Sequence, residues 1–507
     1  MPALTALLAG LLALEPAAHA SGYYMSDVGT RGMARGGANI AGADDLSAQY
    51  YNPAALIRLR RPQVYLSYTM VNQPITFTRK DYDADGNVLK TYDEVSNEAK
   101  PMHIPNFGVS HHFGLPNTMF ALGLFSPFAP RFDYDEEGSQ RYTMKKALVI
   151  QFYAGPSVAH RIGWLTIGAG AFWTYVGADQ GLDLAICQTK SGGEANCNDE
   201  NLQQPAEGSQ VYDVGVELSM ADKSSFTWNL GLLAEPKPWI TVGYSAQPKL
   251  NVDGTGSIDA EFEKGHWMTE GSLPLIDGSK HSDNDVNVLL TMPWIHRLGV
   301  AFHDEDRNWE VEGATTYQRW RVTEEIKVTN VDLTLPTTEQ VQSLTGATGD
   351  PIESIVIDDD IVLPAGYEDT WSFRLGGHYR VIDPLLLRAG VLFEKSAIPA
   401  ATQGVNLMDG DKWAFGFGGT GSILKNRLDI DLGMLYTIYP TREIKDSEVA
   451  RQELPVDLGA AISNPDSLNN LTLGPGQVVG NGTLNAHTLF LSTAVTWRFG
   501  KRPGADG

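Results

Sequence analysis

The feature that most constrains this chain is a two-residue periodicity that returns after every turn. In the run from Trp371 to Val381, the residues Trp371, Phe373, Leu375, Gly377, Tyr379 and Val381 fall on one face. Ser372, Arg374, Gly376, His378 and Arg380 fall on the other. The next run sets Leu385, Leu387, Ala389, Val391 and Phe393 against Leu386, Arg388, Gly390, Leu392 and Glu394. The last sets Leu489, Leu491, Thr493, Val495, Trp497 and Phe499 against Phe490, Ser492, Ala494, Thr496 and Arg498. A period of two places alternate side chains on opposite faces of an extended strand. A soluble β-sandwich also alternates. Here, however, the second face carries glycines and charges, and the apolar face ends in aromatics such as Trp371, Trp413, Tyr436, Tyr439 and Trp497. That is the pattern of a wall between lipid and a lumen.

Fourteen such runs are predicted, at 62–79, 105–114, 118–128, 146–160, 163–178, 211–234, 238–252, 286–303, 307–329, 367–382, 384–396, 411–424, 426–440 and 484–500. Their connections alternate in length. Short ones fall at 115–117, 161–162, 235–237, 304–306, 383 and 425, and long ones at about 80–104, 129–145, 179–210, 253–285, 330–366, 397–410 and 441–483. Short turns on one side and long loops on the other are what an outer-membrane barrel requires. The predicted fold is therefore all-β: a transmembrane antiparallel β-barrel, with both termini periplasmic and the long loops outside. The loops are polar and hold little apolar periodicity apart from Val478-Val479 and Ile355-Val356-Ile357, so no second domain is expected.

Residues 1–20 read as a signal peptide. Leu4 to Leu14 is a short apolar core, and Ala18-His19-Ala20 has the small-x-small pattern of a cleavage site, although the leading residues lack Lys and Arg. The net charge of −23 excludes a nucleic-acid partner, which needs a basic face. The two cysteines, Cys187 and Cys197, lie in a polar loop, and an exported chain favours a loop-closing disulfide over two free thiols. No cofactor or metal site is expected. Asp81 to Asn87 matches half of a calcium loop, but Tyr92 stands where a bidentate Glu belongs. With neither a G-x-S-x-G nor an H-E-x-x-H motif, no enzyme is indicated.

One stretch breaks the grammar. Residues 21–60 are rich in Gly and Ala, carry Asp44-Asp45, and close on Asn52-Pro53-Ala54. A segment this small-residued packs only inside something else, so it is expected to plug the barrel as an N-terminal hatch. Residues 61–500 form the barrel with its loops, and 501–507 a short periplasmic tail.

These residues carry a family resemblance. Gly32-Met33-Ala34-Arg35-Gly36, Ala43-Asp44-Asp45 and Asn52-Pro53-Ala54 form one group. Trp294-Ile295-His296-Arg297-Leu298-Gly299 with Tyr317-Gln318-Arg319-Trp320 form a second. Tyr367 to Trp371, Arg388-Ala389-Gly390 and Ser396 to Pro399 form a third, and Gly482 to His487 a fourth. In this order and spacing the chain resembles the FadL family of outer-membrane transporters of long-chain fatty acids, whose relatives move aromatic hydrocarbons. The resemblance implies a fourteen-stranded barrel filled by the hatch, ligand capture in a loop groove, transfer to a luminal pocket, and sideways release at a kink in the third strand. Ser126-Pro127-Phe128 sits where that kink would fall, because proline cannot donate to a ladder; ending the strand before a loop is the plainer role for Pro127.

The expected function is thus passive transport of a hydrophobic small molecule, a long-chain fatty acid or else an aromatic hydrocarbon. A lipid-acting barrel enzyme and an adhesive surface barrel are the alternatives from other classes. The inward arginines Arg374, Arg380 and Arg388, with Arg35 of the hatch, are candidates for a ligand carboxylate, since a guanidinium can grip one bidentately. The competing role is bracing of the lumen against Asp429, Asp431, Glu310 and Glu312. Expected partners are the hydrophobic ligand and the surrounding outer-membrane lipid and lipopolysaccharide, around a monomer.

Overall fold

The computed structural model describes residues 27–500 apart from 129, 189–211, 272–273, 344–350, 352, 358–360, 365, 406–408 and 458–473. Fourteen antiparallel strands close into a barrel. They are β1 Gln63–Asn72, β2 Met102–His111, β3 Thr118–Phe128, β4 Lys146–Ile162 and β5 Leu165–Gln188. Then come β6 (Asp213–Asp222 and Phe226–Lys237), β7 (Ile240–Gln247 and Leu250–Phe262), β8 (Lys280–Met292 and Trp294–His303) and β9 Trp309–Arg319. The ring ends with β10 Thr370–Ile382, β11 Leu385–Glu394, β12 Lys412–Ile423, β13 Leu428–Ile444 and β14 Gly482–Arg498. Each pairs with the next, and β14 returns to β1 from Gln63↔Arg498 to Asn72↔Leu489. The short turns all lie at one end.

The two-residue period maps onto burial. On β10, Ser372 and Arg374 are buried, while Trp371, Phe373 and Leu375 are 47%, 43% and 54% exposed. The same holds round the wall, where Leu122, Leu230, Phe417 and Leu432 are exposed. A continuous apolar belt of this kind is stable against hydrocarbon, not water. No helix among the described residues is long and apolar enough to cross a membrane.

Two expectations about the long connections need revision. β5, β7 and β8 run well beyond their predicted ends: β5 reaches Gln188, and the stretch expected to be a loop after 252 holds strand to Phe262 and again from Lys280. The loops are also not merely polar. Tyr142, Ile186, Tyr212, Phe262, Trp267, Met268, Leu335, Ile355, Leu454 and Val479 form one buried cluster above the barrel. The apolar contributors come from distant loops, so no single loop shows a periodic signal. The connection after β13 supplies a strap, Ala450–Val456, which pairs in parallel with the edge of β5 that β4 leaves uncovered, from Glu453↔Ala185 to Val456↔Gln188. Cys187 is buried at this edge, and no described cysteine is a free thiol; Cys197 lies outside the described residues, as do the leader and the tail. The Asp81 to Asn87 stretch is a hairpin tip in which Asp83 accepts from the amides of Asp85 and Asn87.

Residues 27–59 are buried, apart from half-buried Asp44, Ile57 and Arg58, and touch strands on opposite sides of the ring, which places them within it. A short helix Thr30–Ala34 packs on β11 to β14, and a 3-10 turn Pro53–Arg58 packs on β4, β5 and β6. The wall makes room with glycine. A Cβ on Gly376 or Gly390 would meet the Arg35 carbonyl oxygen at 2.1 or 2.0 Å.

Leu375→Arg places a charge on the mid-strand lipid face. It is expected to destabilise the barrel by about 2–4 kcal/mol in denaturant unfolding from vesicles. Loss of less than about 0.5 kcal/mol would mean that this face does not meet hydrocarbon.

Candidate functional site

The lumen is organised by ion pairs between the N-terminal segment and the wall. Arg31 lies 2.7 Å from Asp429, 3.0 Å from Asp431 and 3.1 Å from Asp44. Arg35 reaches Glu310 at 2.8 Å and Glu312 at 3.0 Å. Glu312 also accepts from the backbone amides of Ile40, Ala41 and Gly42 at 2.7, 2.8 and 2.8 Å. Charge-assisted bonds of this sort contribute about 1.5–3 kcal/mol each. Removing one partner of a buried pair costs about 3–5 kcal/mol, because the other charge is left uncompensated.

The arginines considered for a ligand carboxylate have these surroundings. Arg374 pairs with Asp27 at 2.7 Å and lies 3.7 Å from Glu394. Arg388 donates to Thr420 and lies 3.3 Å from Asp44 and 3.9 Å from Asp431. Both are buried. Arg380 is not brought to them. It sits half-buried beside the short turn after β10 and donates to the Asp383 carbonyl at 3.1 Å. Asn52 caps the 3-10 turn by accepting from the Ala54 amide at 3.1 Å, with Pro53 at its first position, and it donates to the carbonyls of Ile40 and Leu232, both at 3.0 Å. The Asn-Pro-Ala corner therefore ties the segment to itself and to β6.

An apolar surface runs through the barrel. Outside the membrane, Leu184, Ile186, Val214, Ile258 and Phe262 line a cavity that Leu454 of the strap closes, and every residue lining it is apolar. Its volume is only about 40 Å³. Val216 and Ile258 continue from it into a larger apolar cluster that reaches Tyr50, Phe125, Tyr153 and Phe172. Phe125 is the hub of the aromatic end, 5.8 Å from Tyr50, 5.6 Å from Tyr153 and 5.3 Å from Phe172 between ring centroids. The Arg297 guanidinium stacks over Tyr50 at 4.6 Å.

Beside Phe125 the wall is incomplete. The β2–β3 ladder runs only from His111↔Phe120 to Phe107↔Leu124, although β2 continues back to Met102 while pairing with β1. On its other side β3 shifts register against β4 between Phe125 and Phe128. Strand therefore continues through Pro127, and the irregularity is a bulge, as expected where a residue lacks its amide hydrogen. The Ser126 amide donates instead to Asn106 Oδ1 at 3.0 Å, and Asn106 Nδ2 donates to Ser67 at 3.1 Å. Ser126, Pro127 and Asn106 are buried. A side chain thus stands where a ladder would be.

The sequence alone did not single out Asn106, Tyr50, Phe125, Tyr153, Phe172 or Arg297. Arg297 sits on the inward set Ile295, Arg297, Gly299, so the period of two marks it as luminal. For Asn106 no local signal exists, since its role depends on the ladder stopping one residue away.

Residues 11–464 match the family model described as outer membrane protein transport protein (OMPP1/FadL/TodX). The chain belongs to this family. It is accordingly a transport channel of the bacterial outer membrane for hydrophobic substrates, a multi-pass β-barrel and not an enzyme. A long-chain fatty acid transport protein of Salmonella typhi is 20% identical over 455 residues, 85% of this chain and 91% of that one. Among solved structures, a Pseudomonas aeruginosa FadL homologue superposes with a TM-score of 0.69 at 16% identity, covering 95% of this chain and all (100%) of that one. The Ralstonia pickettii toluene transporter TbuX gives 0.60 at 15% identity, covering 94% and 99%.

Arg374→Ala removes the guanidinium that pairs with buried Asp27, while Glu394 keeps Lys412 at 3.0 Å. The segment is expected to loosen, raising single-channel conductance in planar bilayers several-fold; unchanged conductance would show that this pair does not hold it. A second test concerns the loop cluster. His266 is fully buried, its Nδ1 accepts from the Met268 amide at 3.2 Å, and burial drives its imidazole from 6.5 down to about 4. Between those values the unfolded loop binds a proton that the folded loop refuses, so stability falls as pH falls. Going from pH 7 to pH 5, loop stability is expected to drop by about 2 kcal/mol, read as faster proteolysis within 263–279. His266→Gln should flatten that pH dependence.

Proposed function

We propose that the protein is a passive uptake channel in which a hydrophobic molecule enters at the loop cavity closed by Leu454, moves along the luminal apolar surface to Phe125, and leaves sideways through the interrupted β2–β3 ladder. The observation that carries this reading is the continuity of apolar surface from the cavity to the break in the wall. At about 40 Å³ the cavity holds little more than a water, so entry requires the strap or its neighbours to move aside. The N-terminal segment is the hatch: it fills the rest of the lumen and steers ligand to the side wall. In this reading Arg35, Arg374 and Arg388 brace the hatch, and Arg297 beside Tyr50 is the cation that meets a carboxylate.

The proposed substrate is a long-chain fatty acid, the class named for the Salmonella typhi relative. An uncharged hydrocarbon is the second reading, favoured by the absence of any polar residue from the cavity lining. A fluorescent long-chain fatty acid should bind purified protein saturably and be displaced by oleate. Displacement by toluene and not by oleate would select the second reading.

Ser126→Trp fills the break without touching the cavity. Binding is expected to persist while uptake into cells falls at least tenfold. Normal uptake by a folded Ser126→Trp protein would rule out the lateral exit.

A further inference from the structure

On one side of the barrel the strands break at a common line. β6 is interrupted at 223–225, β7 at 248–249 and β8 at 293, and β9 gives way after Arg319 to a 3-10 turn, Trp320–Val322, before strand resumes at Glu325–Thr329. Registers place these breaks side by side. Trp173 is opposite Phe226, Trp294 is opposite Arg319, and Tyr317 is opposite Trp371. Immediately below lies a row of aromatics: Trp228 and Trp294 rings are 6.1 Å apart, His296 stacks 6.1 Å from Trp294 and 6.3 Å from Tyr317, and Tyr317 is 4.8 Å from Trp371. Trp173 ties to the line by donating to the Lys223 carbonyl at 2.7 Å.

Four cations lie on the line: Lys223, Lys249, Arg319 and Arg321. All are exposed, and none makes an ion pair with a described residue. Two neighbouring carboxylates, Asp222 and Asp369, are already engaged. Asp222 accepts from the amides of Ser224, Ser225 and Asp253, and Asp369 accepts from the Tyr317 hydroxyl at 2.7 Å and the Arg321 amide at 3.0 Å. Farther out the exposed charges are mixed: the acids Glu217, Asp253, Glu261 and Asp285 lie among Lys146, which pairs with Glu217, and the exposed Lys264 and Lys280. Moving outward along this wall one therefore meets aliphatic residues, then aromatics, then unpaired cations, then a zone of both charge signs. In a chain of net charge −23, four exposed cations gathered on one line without an ion-pair partner among the described residues call for a counter-charge from outside the protein.

We infer that this line on β6 to β9 is a binding face for a phosphorylated glycolipid of the outer leaflet, lipopolysaccharide held by its lipid A phosphates. Tryptophan and tyrosine settle at the hydrocarbon–headgroup boundary, so cations just above them stand at the depth of lipid phosphates. Arginine grips phosphate with parallel hydrogen bonds, and lysine adds point charge. The exposed aliphatic wall below, with Leu230 and Leu298, receives the acyl chains. β2 and β3 are not part of this face, so a bound lipid leaves the interrupted ladder clear.

The test is native mass spectrometry of full-length protein in detergent, titrated separately with bisphosphorylated lipid A, dephosphorylated lipid A and inorganic phosphate. Bisphosphorylated lipid A should bind, and K223Q/K249Q/R319Q/R321Q should weaken it at least tenfold. A control, K237Q/K425Q/R427Q, removes exposed cations at the short-turn end and should change nothing. Heat-modifiable gel mobility checks folding. If the fourfold variant does not fold, the doubles K223Q/K249Q and R319Q/R321Q should each cost about threefold. Equal binding of dephosphorylated lipid A, displacement by an equal concentration of inorganic phosphate, or unaltered affinity in folded variants would each overturn the inference.

Discussion

Hydrocarbon offers no partner to a backbone amide, and the architecture follows from meeting that constraint within the chain. Closing β14 onto β1 pairs the last free edge of the sheet. Once every strand has two neighbours, the face of each residue is set by parity, which is why apolar and luminal residues alternate on β10 to β14 up to the register shifts at 380–382 and 439–442. One place among the described residues where the constraint is met differently is β3. Pro127 cannot donate, the β2–β3 ladder stops at Leu124, and Asn106 supplies from its side chain the acceptor that the Ser126 amide needs. A gap bridged by a side chain can open at the cost of one or two hydrogen bonds, whereas a complete ladder would have to lose many.

The closed ring creates a second problem, since a lumen lined by Arg374, Arg388, Glu310, Glu312, Asp429 and Asp431 cannot collapse on itself. Residues 27–59 solve it by bringing charges of their own. Arg31 and Arg35 answer the carboxylates of β13 and β9, while Asp27 and Asp44 answer the guanidiniums of β10 and β11. The pairing is reciprocal, so neither wall nor segment is electrostatically complete alone. Close backbone contact at Gly376 and Gly390 then fixes the position that the ion pairs select. Above this polar floor the interior turns apolar, and the boundary lies at Tyr50, whose ring meets Arg297 on one side and Phe125 on another.

Much of this was legible in the residues. A period of two and the alternation of short with long connections yield the strand number and which end of the barrel carries the loops. The small-residued N-terminal stretch reads as a filling because it cannot be a strand. Strand limits above the membrane were not legible: Leu182, Leu184, Ile258 and Ala260 alternate as they should, but Gly and Asp beside them carry the signature of loops. The loop cluster was hidden for another reason. Trp267, Ile355 and Leu454 stand in three separate, mostly polar stretches, and only their meeting makes a core.

The sequence by itself determined the wall, because facing lipid or lumen is a local property that each strand states through its own alternation. It also determined which charges the lumen holds. Tertiary structure alone decided which charges pair, that the strap from beyond β13 completes the edge of β5, and that the β2–β3 ladder ends beside an aromatic cluster. Those depend on contacts between residues up to four hundred positions apart, such as Arg31 with Asp431 (a separation of 400). No local pattern encodes such contacts, since their geometry exists only after the ring has closed.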